Sequence, residues 1–314
     1  MLIIADPGVD DAFALMYALH HPEIEVVGVI NGYGNVSQQH SVRNTWYLLK
    51  LAGQDEIPII LGASKPLTGD PPEYFYDIHG KDGLGSLSPD TPGHITVYPF
   101  SKAYELIARH GAELTIVNLS RLTTLALMYL HQESNINLVK EILVMGGAFH
   151  VPGNVTHLAE ANIYGDPLAA KIVTTHGTNL TFIPLNVSNR AIITNDIVSH
   201  LSKNSASPFA KIIHPIMSHY STQYEKMIPN INGAPLHDVT LFSYLLNPGR
   251  YHDIKRQIFV VETGHSKGLT HADFRPVPNV KKEYPEHTII IEFDPEFFLK
   301  DFIEVMNNTL TYRA

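Results

Sequence analysis

Through the first two thirds of the chain, short β-branched apolar runs alternate with longer stretches of helical period. LIIA (2–5) leads into a helical pattern from about Asp11 to His20. EVVGVI (25–30) leads into one from about Ser37 to Ala52, closed by Gly53. IPIIL (57–61) runs into a Gly/Pro-rich loop, and a helical pattern over about Ser101–Arg109 stops at His110-Gly111. LTIVNL (114–119) precedes a helix over about Leu122–His131. EILVMGG (141–147) precedes a long loop and a helix over about Pro167–His176, and LTFIPL (180–185) follows. Continuous apolar runs alternating with helices predict βαβ units and a mostly parallel sheet covered on both faces.

The last third changes character. It predicts helices over about Ile197–Leu201, Pro208–Lys226 and Val239–Leu246, then strands IFVVE (258–262), THADF (270–274) and HTIIIEF (287–293). A closing helix runs from about Glu296 to Thr309. No internal repeat, low-complexity tract or linker interrupts the chain. The expected fold is α/β, with an open, mainly parallel sheet flanked by helices and a smaller helical and β excursion in the last third. One domain over residues 1–314 is the expected organisation.

In open α/β sheets, ligands bind beyond the carboxyl ends of the strands. Those ends are polar in this chain. LIIA is followed by Asp6-Pro7-Gly8, EVVGVI by Asn31-Gly-Tyr-Gly-Asn35, and LTIVNL by Ser120-Arg121. EILVM is followed by Gly146-Gly147 and a loop holding Asn154, Glu160 and Asn162, and LTFIPL by Asn186-Val-Ser-Asn189. Each is also ordinary turn chemistry. Together they predict one polar cleft along that edge.

The first of these ends is the most acidic. Pro7 favours an extended Asp6 at the close of the first strand, Gly8 is placed for a turn, and Asp10 and Asp11 open the helix. Helix capping accounts for Asp10 or Asp11, since acidic groups stabilise a helix N-terminus by about 0.3–1 kcal/mol. It does not account for Asp6. Carboxylates crowded on one turn repel, and a hard dication bound through oxygen offsets that repulsion. His237-Asp238, at the start of another helical pattern, is a candidate to complete such a site.

Composition narrows the field. The 314 residues are 44% hydrophobic and 17% charged, with a formal net charge of -9. Basic residues form no block beyond short pairs such as Lys281–Lys282, so a nucleic-acid partner is not expected. With no cysteine, disulfides, thiolate nucleophiles and zinc–thiolate sites are excluded. No apolar run reaches the roughly 20 residues of a membrane span, and the short apolar run from Leu2 is not expected to be a signal peptide. A soluble, cytoplasmic protein with no membrane partner is expected.

DPGVDDAFAL, GN at 34–35, HGKDGLG at 79–85, VMGG at 144–147, AEAN at 159–162 and HD at 237–238 together resemble the inosine–uridine-preferring nucleoside hydrolases. The elements occur in that family's order and extend from about residue 2 to the last helix. The resemblance implies a nucleoside hydrolase-like, Rossmann-related fold, assembly as a dimer or tetramer, and a tightly held Ca²⁺. It implies hydrolysis of the N-glycosidic bond of small-molecule ribonucleosides to ribose and free base. By position it makes Asp6 the general base and a metal ligand, with Asp11, Asp238 and the Leu119 carbonyl as further ligands. Asp10, Asn35, Glu160 and Asn162 become ribose partners, and Met145 and Asn154 line the sugar pocket. His79 and His237 fall near the nucleobase. Tyr220 and Tyr224, on the 208–226 helical pattern, are further candidates for base contact. Three positions depart from the family pattern: Ile4 replaces an aspartate, Arg121 is unusual so near the cleft, and Val239 stands where the family has a proline after His-Asp. A different metal-dependent hydrolase and a non-catalytic nucleoside-binding protein are the competing readings.

Overall fold

The computed structural model describes residues 1–90, 93–278 and 284–307. The apolar runs of the first two thirds are strands: β1 (Leu2–Ala5), β2 (Gly28–Asn31), β3 (Ile59–Leu61), β4 (Thr115–Asn118), β5 (Glu141–Met145) and β6 (Leu180–Ile183). Among them lie helices α1 (Val9–His20), α2 (Gln38–Ala52), α3 (Tyr76–His79), α4 (Ser101–His110), α5 (Thr123–Ile136), α6 (Ala161–Gly165) and α7 (Pro167–His176). There follow α8 (Leu185–Ser188), β7 (Ile192–Thr194), α9 (Asn195–Asn204), α10 (Ala210–Met227), β8 (Gly233–Pro235) and α11 (Val239–Leu246). The chain then forms β9 (Tyr251–Arg256), β10 (Phe259–Val260), β11 (Thr270–His271), β12 (His287–Phe293) and α12 (Pro295–Met306).

One 8-stranded sheet runs in the order β3-β2-β1-β4-β5-β6-β12-β9. Its neighbours pair in parallel except β12 with β9. Successive residues of β1 feed opposite faces, as the two-residue pleat requires. Ile3 and Ala5 pack with residues of α1, α2 and α10–α12. Leu2 and Ile4 pack with Ile30, Ile60 and Ile116 under α4 and α5. Helix α1 is buried from Val9 to Leu19, which is why it is apolar on nearly every side. Burial on both sheet faces is likewise why the strands read as unbroken apolar runs.

The topology fixes where a site can form. From β1 the chain steps outward to β2 and β3, then returns to begin β4 on the other side of β1. The carboxyl ends of β1 and β4 therefore flank the switch point of the sheet, where open α/β folds form their crevice. Asp6 and Leu119 follow those two ends.

The last third differs in detail from its pattern. YHDIKR forms the edge strand β9 with His252, Asp253 and Lys255 exposed, a polar edge that no apolar run announces. IFVVE and THADF shorten to β10 and β11, which pair with each other. The antiparallel pair β7–β8 and the packed helices α9 and α10 make up the excursion. Asp294 caps α12 by accepting the Phe297 N–H, with Pro295 at the first helical position. The helix ends at Met306; residues 308–309 of its expected span and the Lys281–Lys282 pair lie outside the described residues. No helix among the described residues is long and apolar enough to cross a membrane.

Candidate active site

The turn after β1 is held by its own carboxylates. Asp11 Oδ1 accepts the Asp6 N–H at 3.2 Å, and its Oδ2 accepts the Gly8 N–H at 3.2 Å and Asn35 Nδ2 at 2.8 Å. Asp6 Oδ2 accepts the Asn35 N–H at 2.6 Å. Capping is thus real for Asp11, and Asn35 ties the end of β2's loop to both acids. Gly8 makes no left-handed turn, since its φ is -82°. It allows close approach instead: a Cβ there would stand 2.5 Å from His79 Nδ1 and 2.9 Å from Asn35 Cβ.

The loops after β4 and β5 supply the next wall. Asn162 Nδ2 donates to the Leu119 carbonyl at 2.7 Å and the Met145 carbonyl at 3.1 Å, bridging the two strand ends. Glu160 caps α6, accepting N–H groups from Asn162, Ile163 and Gly147 at 2.8–3.2 Å. Asn154 Oδ1 accepts the Ala161 N–H at 3.0 Å.

The facing wall comes from α3, α10 and the start of α11. His79 Nδ1 accepts the Val9 N–H at 3.0 Å, so its ring proton resides on Nε2. His237 lies between Tyr224 Oη (3.0 Å from Nε2) and Ser188 Oγ (2.9 Å from Nδ1). The Tyr220 ring packs against His79 with centroids 5.5 Å apart. Between the walls is a cavity of about 570 Å³, lined by Asp10, Asn35, His79, Met145, Asn154, Glu160, Asn162, His237 and Asp238 among others. Asp6 and Asp11 are not in its lining; both are held by Asn35, which is.

One ligand atom each from Asp10, Asp11 and Asp238 lies within 4.8 Å of the others. Asp10 thus stands with Asp11 and Asp238 in one close group of acids. Asp6 Oδ1 and Asp10 Oδ1 are buried with no hydrogen-bond partner. Burial first, and then neighbouring carboxylates, push Asp6, Asp10 and Asp238 well above the usual carboxylate range. Burial raises Glu160 to about 7 against the pull of its three N–H donors. Burial lowers His79 to about 3 and His237 to about 4, so both rings are neutral at physiological pH. An all-oxygen set with unsatisfied carboxylate atoms fits a hard dication.

The sequence matches the family model described as inosine-uridine preferring nucleoside hydrolase over residues 1–300. The chain belongs to that family. A uridine nucleosidase of Arabidopsis thaliana is 34% identical over 265 residues, covering 84% of this chain and 78% of its own length. A pyrimidine-specific ribonucleoside hydrolase of Citrobacter koseri is 30% identical over 319 residues, covering 100% and 98%. Among solved structures, a plant nucleoside hydrolase superposes with a TM-score of 0.91 at 30% identity, covering 98% of each chain. A purine-preferring ribonucleoside hydrolase of Gardnerella vaginalis gives 0.89 at 27% identity, covering 98% and 97%. The protein is a nucleoside hydrolase, and its open, mostly parallel sheet is that of the solved nucleoside hydrolases.

For a nucleoside hydrolase, the cavity gathers part of what was singled out at the strand ends: Asn35, Asn154, Glu160, Asn162 and Asn189 line it. Several of its lining residues were not among them. Phe75 comes from the aromatic loop before α3, Ile78 from α3 itself, and Met227 and Ile228 from the end of α10. The apolar four had no signal to separate them from core residues.

Proposed function

We propose that this nucleoside hydrolase cleaves the ribosyl C–N bond with Asp6 as general base, a Ca²⁺ at the carboxylate cluster and neutral histidines toward the nucleobase. The observation that carries it is the division of one cavity into a carboxylate wall and a histidine–tyrosine wall. Asp10, Asp11 and Asp238 would hold the ion, with Asp6 Oδ1 and the Leu119 carbonyl as further oxygen ligands. When bound, Ca²⁺ offsets the carboxylate repulsion and makes a coordinated water more acidic.

Asp6 takes a proton as the water oxygen bonds to the anomeric carbon, and the C–N bond's electron pair leaves with the base. Asn35, Glu160 and Asn162, with Asp10 beside them, hold the ribose hydroxyls. The carboxylates favour positive charge developing on the sugar. His79 offers its Nε2–H as a neutral donor to the departing base, and His237 is a second candidate.

Uridine is the lead substrate, because the relatives named above include a uridine nucleosidase and a pyrimidine-specific hydrolase. Turnover of uridine, cytidine, inosine, adenosine and guanosine should be measured in parallel with Ca²⁺ present. Uridine is expected to give the highest kcat/KM. Absence of free base from all five would sink the reading, and nucleoside binding by calorimetry without turnover would leave a binding protein.

A further inference from the structure

Arg121 sits one step behind the cavity and is 3% exposed, but it is not part of the cavity wall. Its Nη2 donates to the carbonyls of Gly34 (3.3 Å) and Glu73 (3.0 Å). Its guanidinium lies over the rings of Tyr33 and Phe75, 5.5 and 5.3 Å from their centroids. The fold clears space for it: a Cβ on Gly165 would come within 2.3 Å of Arg121 Cδ, and one on Gly34 within 3.0 Å of Nε.

The segment it grips belongs to the loop between β3 and α3. That loop carries exposed residues Thr68 and Asp70–Pro71 before it returns to the protein at Phe75. The Phe75 N–H donates to the Asn35 carbonyl at 3.0 Å, and the His79 N–H donates to the Phe75 carbonyl at 2.9 Å. Phe75, Ile78 and His79 line the cavity. Farther back, the Leu67 N–H is held by Asp166, whose Oδ2 also accepts Thr123 Oγ1. Thr123 in turn bonds Tyr33 Oη at 3.0 Å. The ties of this loop thus converge on the residues around Arg121.

We propose that Arg121 is a positioning residue for nucleobase selection. It clamps the 73–75 segment to the carboxyl end of β4 and so sets where Phe75 and His79 stand against the base. The inference rests on the proposed hydrolysis for its kinetic test, while the clamp is tested separately. A flat guanidinium whose one Nη2 bonds two carbonyls while its face lies over two rings is a geometry that lysine's compact ammonium does not reproduce.

The test compares wild type with Arg121→Met and Arg121→Lys on uridine, inosine and p-nitrophenyl riboside, whose leaving group needs no base contact. Both variants are expected to raise KM for the nucleosides about tenfold and to change the uridine-to-inosine kcat/KM ratio. The loss on the nitrophenyl riboside should be smaller. A double-mutant cycle with Phe75→Ala should be non-additive. Endoproteinase Glu-C should cut after Glu73 faster in both variants. Should Arg121→Met fail to fold, Arg121→Lys carries the same readings. Unchanged kinetics, rescue by lysine, or an equal fall in kcat on all three substrates would overturn the proposal. If wild type hydrolyses no nucleoside, the proposed function falls, and unchanged Glu-C cleavage would then overturn the clamp by itself.

Discussion

The two walls of the cavity solve opposite problems. The carboxylate wall, from the ends of β1 and β4 and the starts of α1 and α6, buries Asp6, Asp10, Asp11 and Glu160, and Asp238 meets it from the start of α11 on the facing side. Its charges are compressed and raised in pKa, and short turns at the sheet edge hold them. The histidine–tyrosine wall, from α3 and α10 with His237, buries polar groups of no net charge: His237 is held by Tyr224 and Ser188, and His79 by the Val9 N–H. In the proposed reaction one wall stores repulsion that a cation or a positive sugar would relieve, and the other would present neutral donors to a neutral base. The difference teaches where each half of the reaction is exposed to mutation: charge changes on the first wall, hydrogen-bond changes on the second.

The largest effect should come from the first wall. Asp6→Asn removes the proton acceptor while keeping shape, and kcat on uridine is expected to fall about 10²–10⁴-fold. Single-turnover release of uracil measures it. A fall of less than tenfold would move the base role to another carboxylate, with Asp10 first in line.

The walls also titrate in opposite senses, which metal-free protein should reveal. His237 falls to about 4 in the fold from an ordinary 6.5. The unfolded chain therefore takes up a proton first as pH drops, and stability present above pH 6.5 is lost toward pH 4, by about 3 kcal/mol. Glu160 rises to about 7 from 4.5, so its contribution runs the other way and stability is lost as pH climbs from 4.5 to 7. Urea unfolding in EGTA across pH 4–7 should show a steeper rise with pH in Glu160→Gln than in wild type, and a flatter one in His237→Gln. Parallel curves for all three would refute the opposition.

The same contrast decides what could be read from sequence. The carboxylate wall was legible because a parallel sheet collects its chemistry at strand ends, and strands buried on both faces announce themselves as apolar runs. Asp6 after LIIA, Asn35 after EVVGVI and Asn162 after EILVM all follow such runs. Which acids cluster was not legible. Asp10 joins Asp11 and Asp238 because α1's first turn faces the start of α11, a contact between residues far apart in the chain. Phe75, Ile78 and Ser188 were silent for a different reason: an apolar or hydroxyl side chain looks the same in a core as in a binding wall. Strand β9 was missed because an edge strand with one solvated face carries no apolar run. Ile4 is plain in hindsight, since its neighbours on that face are Leu2, Ile30, Ile60 and Ile116, and an apolar residue suits them.

Relief of the stored repulsion should be measurable without turnover. At a Ca²⁺ concentration 100 times Kd, binding adds about 2.7 kcal/mol of stability, read as a higher Tm than in EDTA. Asp10→Asn should raise the Tm of the metal-free protein, because one buried charge is gone, and shrink the gain on adding Ca²⁺. A lower metal-free Tm in that variant would show that Asp10 is stabilised by partners other than a cation.

The smallest effect belongs to the second wall. Tyr224→Phe removes the hydroxyl 3.0 Å from His237 Nε2 but leaves Ser188 on Nδ1, so the imidazole keeps one anchor. The loss of one such hydrogen bond, about 0.5–1.5 kcal/mol, corresponds to about a three- to tenfold fall in kcat on uridine. Tyr220→Phe should cost less, since its hydroxyl meets Tyr224 only at 3.5 Å. With p-nitrophenyl riboside, which departs without help, both variants should stay close to wild type. If Tyr224→Phe instead lost as much as Asp6→Asn on every substrate, the hydroxyl would be acting on the sugar, and the division of the cavity into a charged wall for ribose and a neutral wall for the base would fail.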